Sequence, residues 1–127
     1  GLDGEKMSKS KGNLVLVSTL VANGVDPMAI RFALMAHHYR NDQMWSKKVL
    51  ERAQSSLGRL RKALSRDTVY ESSGLIQEII AGLADDLDTP TVIAAIERWV
   101  ESTLEGGSGG DANSVRLSLD ALLGLKL

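Results

Sequence analysis

Lys6, Lys9 and Lys11 alternate with Ser8, Ser10 and Gly12 near the start of the chain. Such a segment offers ammonium groups, hydroxyls and backbone N–H groups together, the donor set that a polyphosphate takes. Type and spacing alone do not separate this from a solvated surface segment, the commoner outcome for a Lys/Ser run. Residues 1–13 show no hydrophobic period and close on Gly12-Asn13, so a mobile surface loop is expected there.

Other residues with chemical potential read as structural. His37 and His38 are consecutive, and neighbours on a helix point about 100° apart, which makes a shared metal ion difficult. Asp85, Asp86 and Asp88 could hold magnesium, but they directly precede Thr89-Pro90, where carboxylates more often cap a helix and favour its positive end. Arg31, Arg40, Trp45 and Trp99 are assigned to packing or the surface. No metal site is assigned to any residue of the chain.

The elements that must position the loop follow from periodicity. Leu14-Val15-Leu16-Val17 is a short apolar, β-branched run and reads as a strand, after which Ser18 can cap a short helix from Thr19 to Asn23, stopped by Gly24. Asp26-Pro27 then starts a helix reaching about Tyr39. Ile30, Phe32, Ala33, Leu34 and Met35 make that helix apolar nearly all round, so it is expected at the centre of the core.

Ser46 can cap a long amphipathic helix bearing Val49, Leu50, Ala53, Leu57, Leu60 and Leu64. Leu75, Ile76, Ile79, Ile80 and Leu83 make a second stripe, and Thr89-Pro90 opens a third with Ile93, Ile96, Val100 and Leu104. Gly106-Gly107-Ser108-Gly109-Gly110 reads as a flexible coil, and a last helix over Asn113–Leu123 docks through Val115, Leu119 and Leu122. The fold class is therefore mainly α: a helical bundle over 41–127 with a Gly-rich linker at 106–110, preceded over 1–40 by the loop, one short strand and helical connections.

A net charge of −1 argues against a dedicated nucleic-acid-binding domain, although a local basic patch remains open. The absence of cysteine removes disulfide and thiolate chemistry, and leaves cytoplasmic as the default location. The longest apolar stretch, Met28 to Ala36, is broken by Arg31 and is far shorter than the roughly 20 residues of a bilayer span. The chain starts at Gly1 without an initiator Met or a targeting pattern, so a fragment of a longer protein is expected.

The string Gly4-Glu5-Lys6-Met7-Ser8-Lys9-Ser10-Lys11-Gly12-Asn13 resembles the "KMSKS" loop of class I aminoacyl-tRNA synthetases over ten consecutive positions. Val25-Asp26-Pro27, Ile30-Arg31-Phe32, His37-His38-Tyr39-Arg40 and Asp85-Asp86-Leu87-Asp88-Thr89-Pro90 resemble later stretches of the cysteine-specific members. The resemblance implies an ATP loop of Lys6, Met7, Ser8, Lys9 and Ser10, in which Lys9, assisted by Lys6, stabilises the departing pyrophosphate. Cysteine is then the activated amino acid. Zinc is implied for the parent enzyme through Cys and His residues upstream of the loop, with none on this chain.

Asn41-Asp42-Gln43-Met44-Trp45, where cysteinyl-tRNA synthetases usually carry a Ser-Pro-Leu-type stretch, resembles the mycothiol-pathway cysteine ligases. Only 37 residues follow Pro90, too few for an anticodon-recognising region. The resemblance therefore implies an AMP-forming ligase that makes cysteinyl-adenylate and passes cysteine to the amine of glucosaminyl-inositol. Transfer to tRNA is the alternative, followed by a purely structural or tRNA-contacting helical module. The isolated fragment is expected to be inactive, with no membrane partner.

Overall fold

The computed structural model describes residues 20–37 and 46–127. The expected loop, the strand over 14–17, the Ser18 cap, and residues His38, Arg40 and Trp45 lie outside the described residues. A helical stretch at 20–22 comes first and ends at Gly24, whose φ of 85° is a left-handed value that glycine accepts at no steric cost. Five helices and two short strands follow: α1 (Pro27–His37), α2 (Lys47–Leu64), β1 (Val69–Tyr70), α3 (Ser73–Ala84), α4 (Thr89–Leu104), β2 (Gly109–Gly110) and α5 (Ala112–Leu123).

Capping chemistry sets the helix starts. Asp26 Oδ1 accepts from the Met28 N–H at 2.9 Å, Ser46 Oγ from Val49 at 3.2 Å, and Asp88 Oδ1 from Thr91 at 3.3 Å. Each satisfies one orphan donor of the first turn. Of the three carboxylates expected to cap α4, Asp88 does so. Asp85 instead sits at the C-cap of α3, and Asp86, with Leu87, takes a left-handed backbone in the turn. Among the described residues, no group of three His, Cys, Asp or Glu side chains is placed to hold a metal ion.

The centre of the core is α4, where α1 was expected. Val92, Ile93, Ala95, Ile96, Trp99, Val100 and Thr103 of α4 are buried, and the helix packs on α1, α2, α3 and β1. α1 buries only Ala29, Ile30, Phe32 and Ala33, because Arg31 turns one flank outward and Leu34 and Met35 are half covered. α2 buries Leu50, Ala53, Leu57, Leu60, Ala63 and Leu64, close to the expected stripe. The α3 stripe is narrower than expected: Leu75 and Ile79 are buried, Ile76 is half-buried and Ile80 is 52% exposed. Gly82 brings α3 close to α4, since a Cβ there would lie 2.5 Å from Val92 Cγ2.

The glycine stretch is the main correction. Gly109–Gly110 pairs antiparallel with β1, Val69 opposite Gly110 and Tyr70 opposite Gly109. Gly106 and Gly109 take φ values of 105° and 97°, and the Gly107 N–H donates to Ser102 O at 2.9 Å. Thr103 Oγ1 accepts from the Tyr70 N–H at 3.1 Å, and Trp99 Nε1 donates to Tyr70 O at 3.1 Å, so α4 fixes the strand that the glycines meet. A flexible coil was expected because glycine holds no turn by itself. Here backbone contacts hold it.

α5 starts at Ala112 on an Asp111 cap and buries Val115, Leu119 and Leu123, the last in place of the expected Leu122, which is half-buried. It ends in an αL cap: Gly124 is left-handed at φ 68°, its N–H donates to Asp120 O at 2.9 Å, and Leu125 N–H donates to Leu119 O at 3.1 Å. Leu125 is fully buried. No helix among the described residues is long and apolar enough to cross a membrane.

Candidate functional site

Lys6, Met7, Ser8, Lys9 and Ser10 lie outside the described residues. What the structure gives is the platform that receives the chain after them. Leu20 is buried at 4% exposure, the Val25 N–H donates to Leu20 O at 3.0 Å, and the Gly24 N–H donates to Val21 O at 3.0 Å. A compact turn therefore seats the incoming chain on the bundle immediately before α1.

Asp26 holds that turn to two elements. Besides capping α1, its Oδ2 lies 2.8 Å from Arg61 Nη1 in the last turn of α2. The backbone N–H of Met28 first, and the Arg61 guanidinium after it, hold the Asp26 carboxyl below its ordinary value, against the opposing pull of partial burial. Glu71 is lowered too, first by the Ser73 hydroxyl and then by the Ser73 N–H.

Both groups are depressed in the folded state, so their stabilisation is complete above the ordinary carboxylate pKa of roughly 4 and is lost as pH falls through the lower folded value. Asp26→Asn is therefore expected to be less stable than the parent at neutral pH, with the gap closing as pH falls through the lowered folded value. Urea unfolding at a series of pH values measures this. A gap that stays constant down to acid pH would count against an ionised, paired Asp26.

Arg31, assigned from sequence to packing or surface, donates from Nε to the Leu123 carbonyl at 2.6 Å. Trp99, assigned likewise, is buried. His37 ends α1 half-buried, where an imidazole complements the negative end of the helix. It borders a cleft of about 200 Å³ floored by Phe32, Ala53 and Ile93 and rimmed by Arg52, Ser56 and Glu97. Ser56 Oγ donates to Glu97 Oε2 at 3.0 Å, so two of the three polar groups at this rim are paired with one another.

The pairings Asp26–Arg61 and Arg31–Leu123 were absent from the sequence reading. The Asp26-Pro27 cap was legible, but nothing local marks a partner 92 residues away.

The family model for the catalytic domain of class I tRNA synthetases (C) matches residues 1–55. The L-cysteine:1D-myo-inositol 2-amino-2-deoxy-alpha-D-glucopyranoside ligase of Nakamurella multipartita is 52% identical, over all of this chain and 30% of its own length. Those of Streptomyces griseus and Saccharomonospora viridis are 50% and 48% identical, each over all of this chain and 32% of its own length. The chain thus spans about a third of the length of the curated relatives it matches.

Proposed function

Because this chain belongs to the family of L-cysteine:1D-myo-inositol 2-amino-2-deoxy-alpha-D-glucopyranoside ligases, we propose that it forms part of an ATP-dependent enzyme that activates cysteine and transfers it to the amine of glucosaminyl-inositol. One observation carries the reading. The synthetase model stops at residue 55, whereas the likeness to the ligases runs on through the helices and the glycine strand to the end of the chain.

In the first step the cysteine carboxylate attacks the α-phosphate of ATP, giving cysteinyl-adenylate and pyrophosphate. In the second the sugar amine attacks the activated carbonyl and releases AMP. Lys6 and Lys9 serve the first step, placing ammonium charge where the β- and γ-phosphates gain it, while Met7, Ser8 and Ser10 complete the loop. The upstream part of the protein supplies the nucleotide fold and the cysteine pocket. Dependence on ATP and free cysteine assigns the reaction to the cytoplasm.

The chain has no cysteine, and among the described residues no ligand set for zinc converges. The zinc that the family reading implies is assigned upstream, and no step is derived through it here.

Transfer to tRNA, the competing reading, draws on the charge of α2. Residues 47–66 carry seven cations against the single carboxylate of Glu51, on a chain whose net charge is −1. Lys48, Arg52, Arg59 and Lys62 follow helical spacing on the face opposite the buried stripe and Arg66 lies just past the helix end, all of them exposed. Arg59 is partly neutralised by Glu101 at 2.9 Å.

The deciding experiment gives the full-length protein cysteine, ATP and either glucosaminyl-inositol or tRNA, and follows AMP release. The sugar amine is expected to consume the adenylate. Consumption by tRNA alone, with salt-sensitive tRNA binding, would transfer the assignment to the competing reading.

A further inference from the structure

A groove of about 320 Å³ opens where β1 meets α3 and α4, and no step of the reaction above uses it. Buried Leu75 and Trp99 lie at its floor, and Tyr70, Glu71, Glu78 and Arg98 stand around it.

The aromatic wall of this groove is fixed by backbone. The Tyr70 N–H is bound to Thr103 and its carbonyl to the Trp99 indole, and the ring rests against Gly107, where a Cβ would stand 2.8 Å from Tyr70 Cδ1. The glycine stretch thus gives the ring bare backbone to lie against. Much of the ring stays open, since Tyr70 is 44% exposed.

The charge beside it is negative and only partly used. Glu71 Oε1 accepts from the Ser73 hydroxyl, the Ser73 N–H and, at 3.3 Å, the Gly74 N–H, which anchors the carboxylate at the start of α3 and favours its ionised form. Glu71 Oε2 takes no bond among the described residues. Glu78 Oε2 meets Arg98 Nη2 at 2.8 Å, so the one guanidinium at the rim is already matched. The unmatched charge is that of Glu71, which lines the same groove as the Tyr70 ring.

A π face attracts a cation, a free carboxylate oxygen takes its N–H groups, and an apolar floor takes its carbon frame. An anion is repelled, and a neutral ligand gains only the ring and the floor. We propose that this groove binds a small organic cation, an ammonium or guanidinium on a short carbon frame, between the Tyr70 ring and Glu71 Oε2. Two sources carry that chemistry, an amino sugar and a basic amino acid. The site stands apart from the adenylation step and does not depend on the ATP loop.

The test titrates glucosamine and N-acetylargininamide separately into the full-length protein slightly below neutral pH, with N-acetylglucosamine and N-acetylcitrullinamide as their uncharged counterparts. The amide signals of residues 70 and 71 and the Trp99 indole N–H are followed by NMR. A saturating shift is expected with a cation and none with its uncharged counterpart, and the cation that binds more tightly names the source.

Tyr70→Leu keeps apolar bulk and both backbone bonds, and Glu71→Gln keeps the Oε1 acceptor while removing the charge. Each is expected to weaken binding about three- to tenfold. No saturation with either cation, equal response to the charged and uncharged members of a pair, or unaltered binding in either variant overturns the proposal. The comparison of charged with uncharged ligands is made on the parent protein, so it decides the matter even where a variant fails to fold.

Discussion

Lys9→Ala in the full-length protein is expected to lower cysteine-dependent ATP–pyrophosphate exchange by about 10²–10³-fold. As the bond to the α-phosphate breaks, negative charge gathers on the leaving pyrophosphate, and there is little covalent work for a side chain to do. An ammonium placed on that charge is worth more in the transition state than in the ground state, so its removal falls on kcat at least as much as on KM. Lys9→Arg keeps the charge with a different shape and is expected to retain part of the rate. Lys6→Ala should cost less, in keeping with an assisting role.

Transfer from preformed adenylate to the amine should be unaffected by either substitution, since pyrophosphate has already left. An exchange rate that Lys9→Ala leaves unchanged would remove the basis for calling residues 6–10 an ATP loop.

Gly110→Ala is expected to destabilise the fold by about 3 kcal/mol, the upper part of the usual overpacking range. A Cβ at this position would overlap the Tyr70 carbonyl oxygen, stand 2.9 Å from its carbon and press on Val69 Cγ2 at 3.1 Å. Retreat is blocked on the far side. Val69 is buried, the Tyr70 N–H is bound to Thr103, and the Tyr70 carbonyl is bound to the Trp99 indole. Moving β1 would leave buried polar groups of α4 without partners, which adds to the cost.

The thermal midpoint should fall by roughly 10 °C for a chain of this size. Gly58→Ala serves as the contrast. Gly58 is exposed inside α2 with nothing within 4 Å of an added Cβ, so alanine there should gain about 0.5–1 kcal/mol through helix propensity and a less disordered unfolded chain. A neutral Gly110→Ala would mean that residues 106–110 behave as the loose coil their composition suggests.

Much of the fold was legible because helix termini are encoded within a few residues. Ser46, Asp88-Thr89-Pro90 and Asp26-Pro27 each carry their capping acceptor within three positions of the donor they satisfy, and α2 and α4 display their buried faces as a 3–4 spacing of apolar residues. The candidate ATP loop rests on a different kind of signal: ten consecutive residues form a string whose resemblance needs no tertiary context, and its role is a proposal.

Tertiary structure decided what depends on the opposite surface. Four glycines in five residues became a turn and a paired strand only because Tyr70, itself held by Thr103 and Trp99, offers backbone where a side chain would not fit. Ile80 carries the same apolar side chain as Ile79 yet stands exposed, since α4 and α5 pack on the side of α3 that holds Ile79 and Ile80 points away from both. Arg31 looks like an outward-facing cation in the string and is in fact bound to a carbonyl 92 residues later. Local sequence encodes hydrogen bonds that close within a turn. Bonds that close across the bundle exist only once the helices have chosen their neighbours, and the grip of the chain's last residues on α1 is of that second kind.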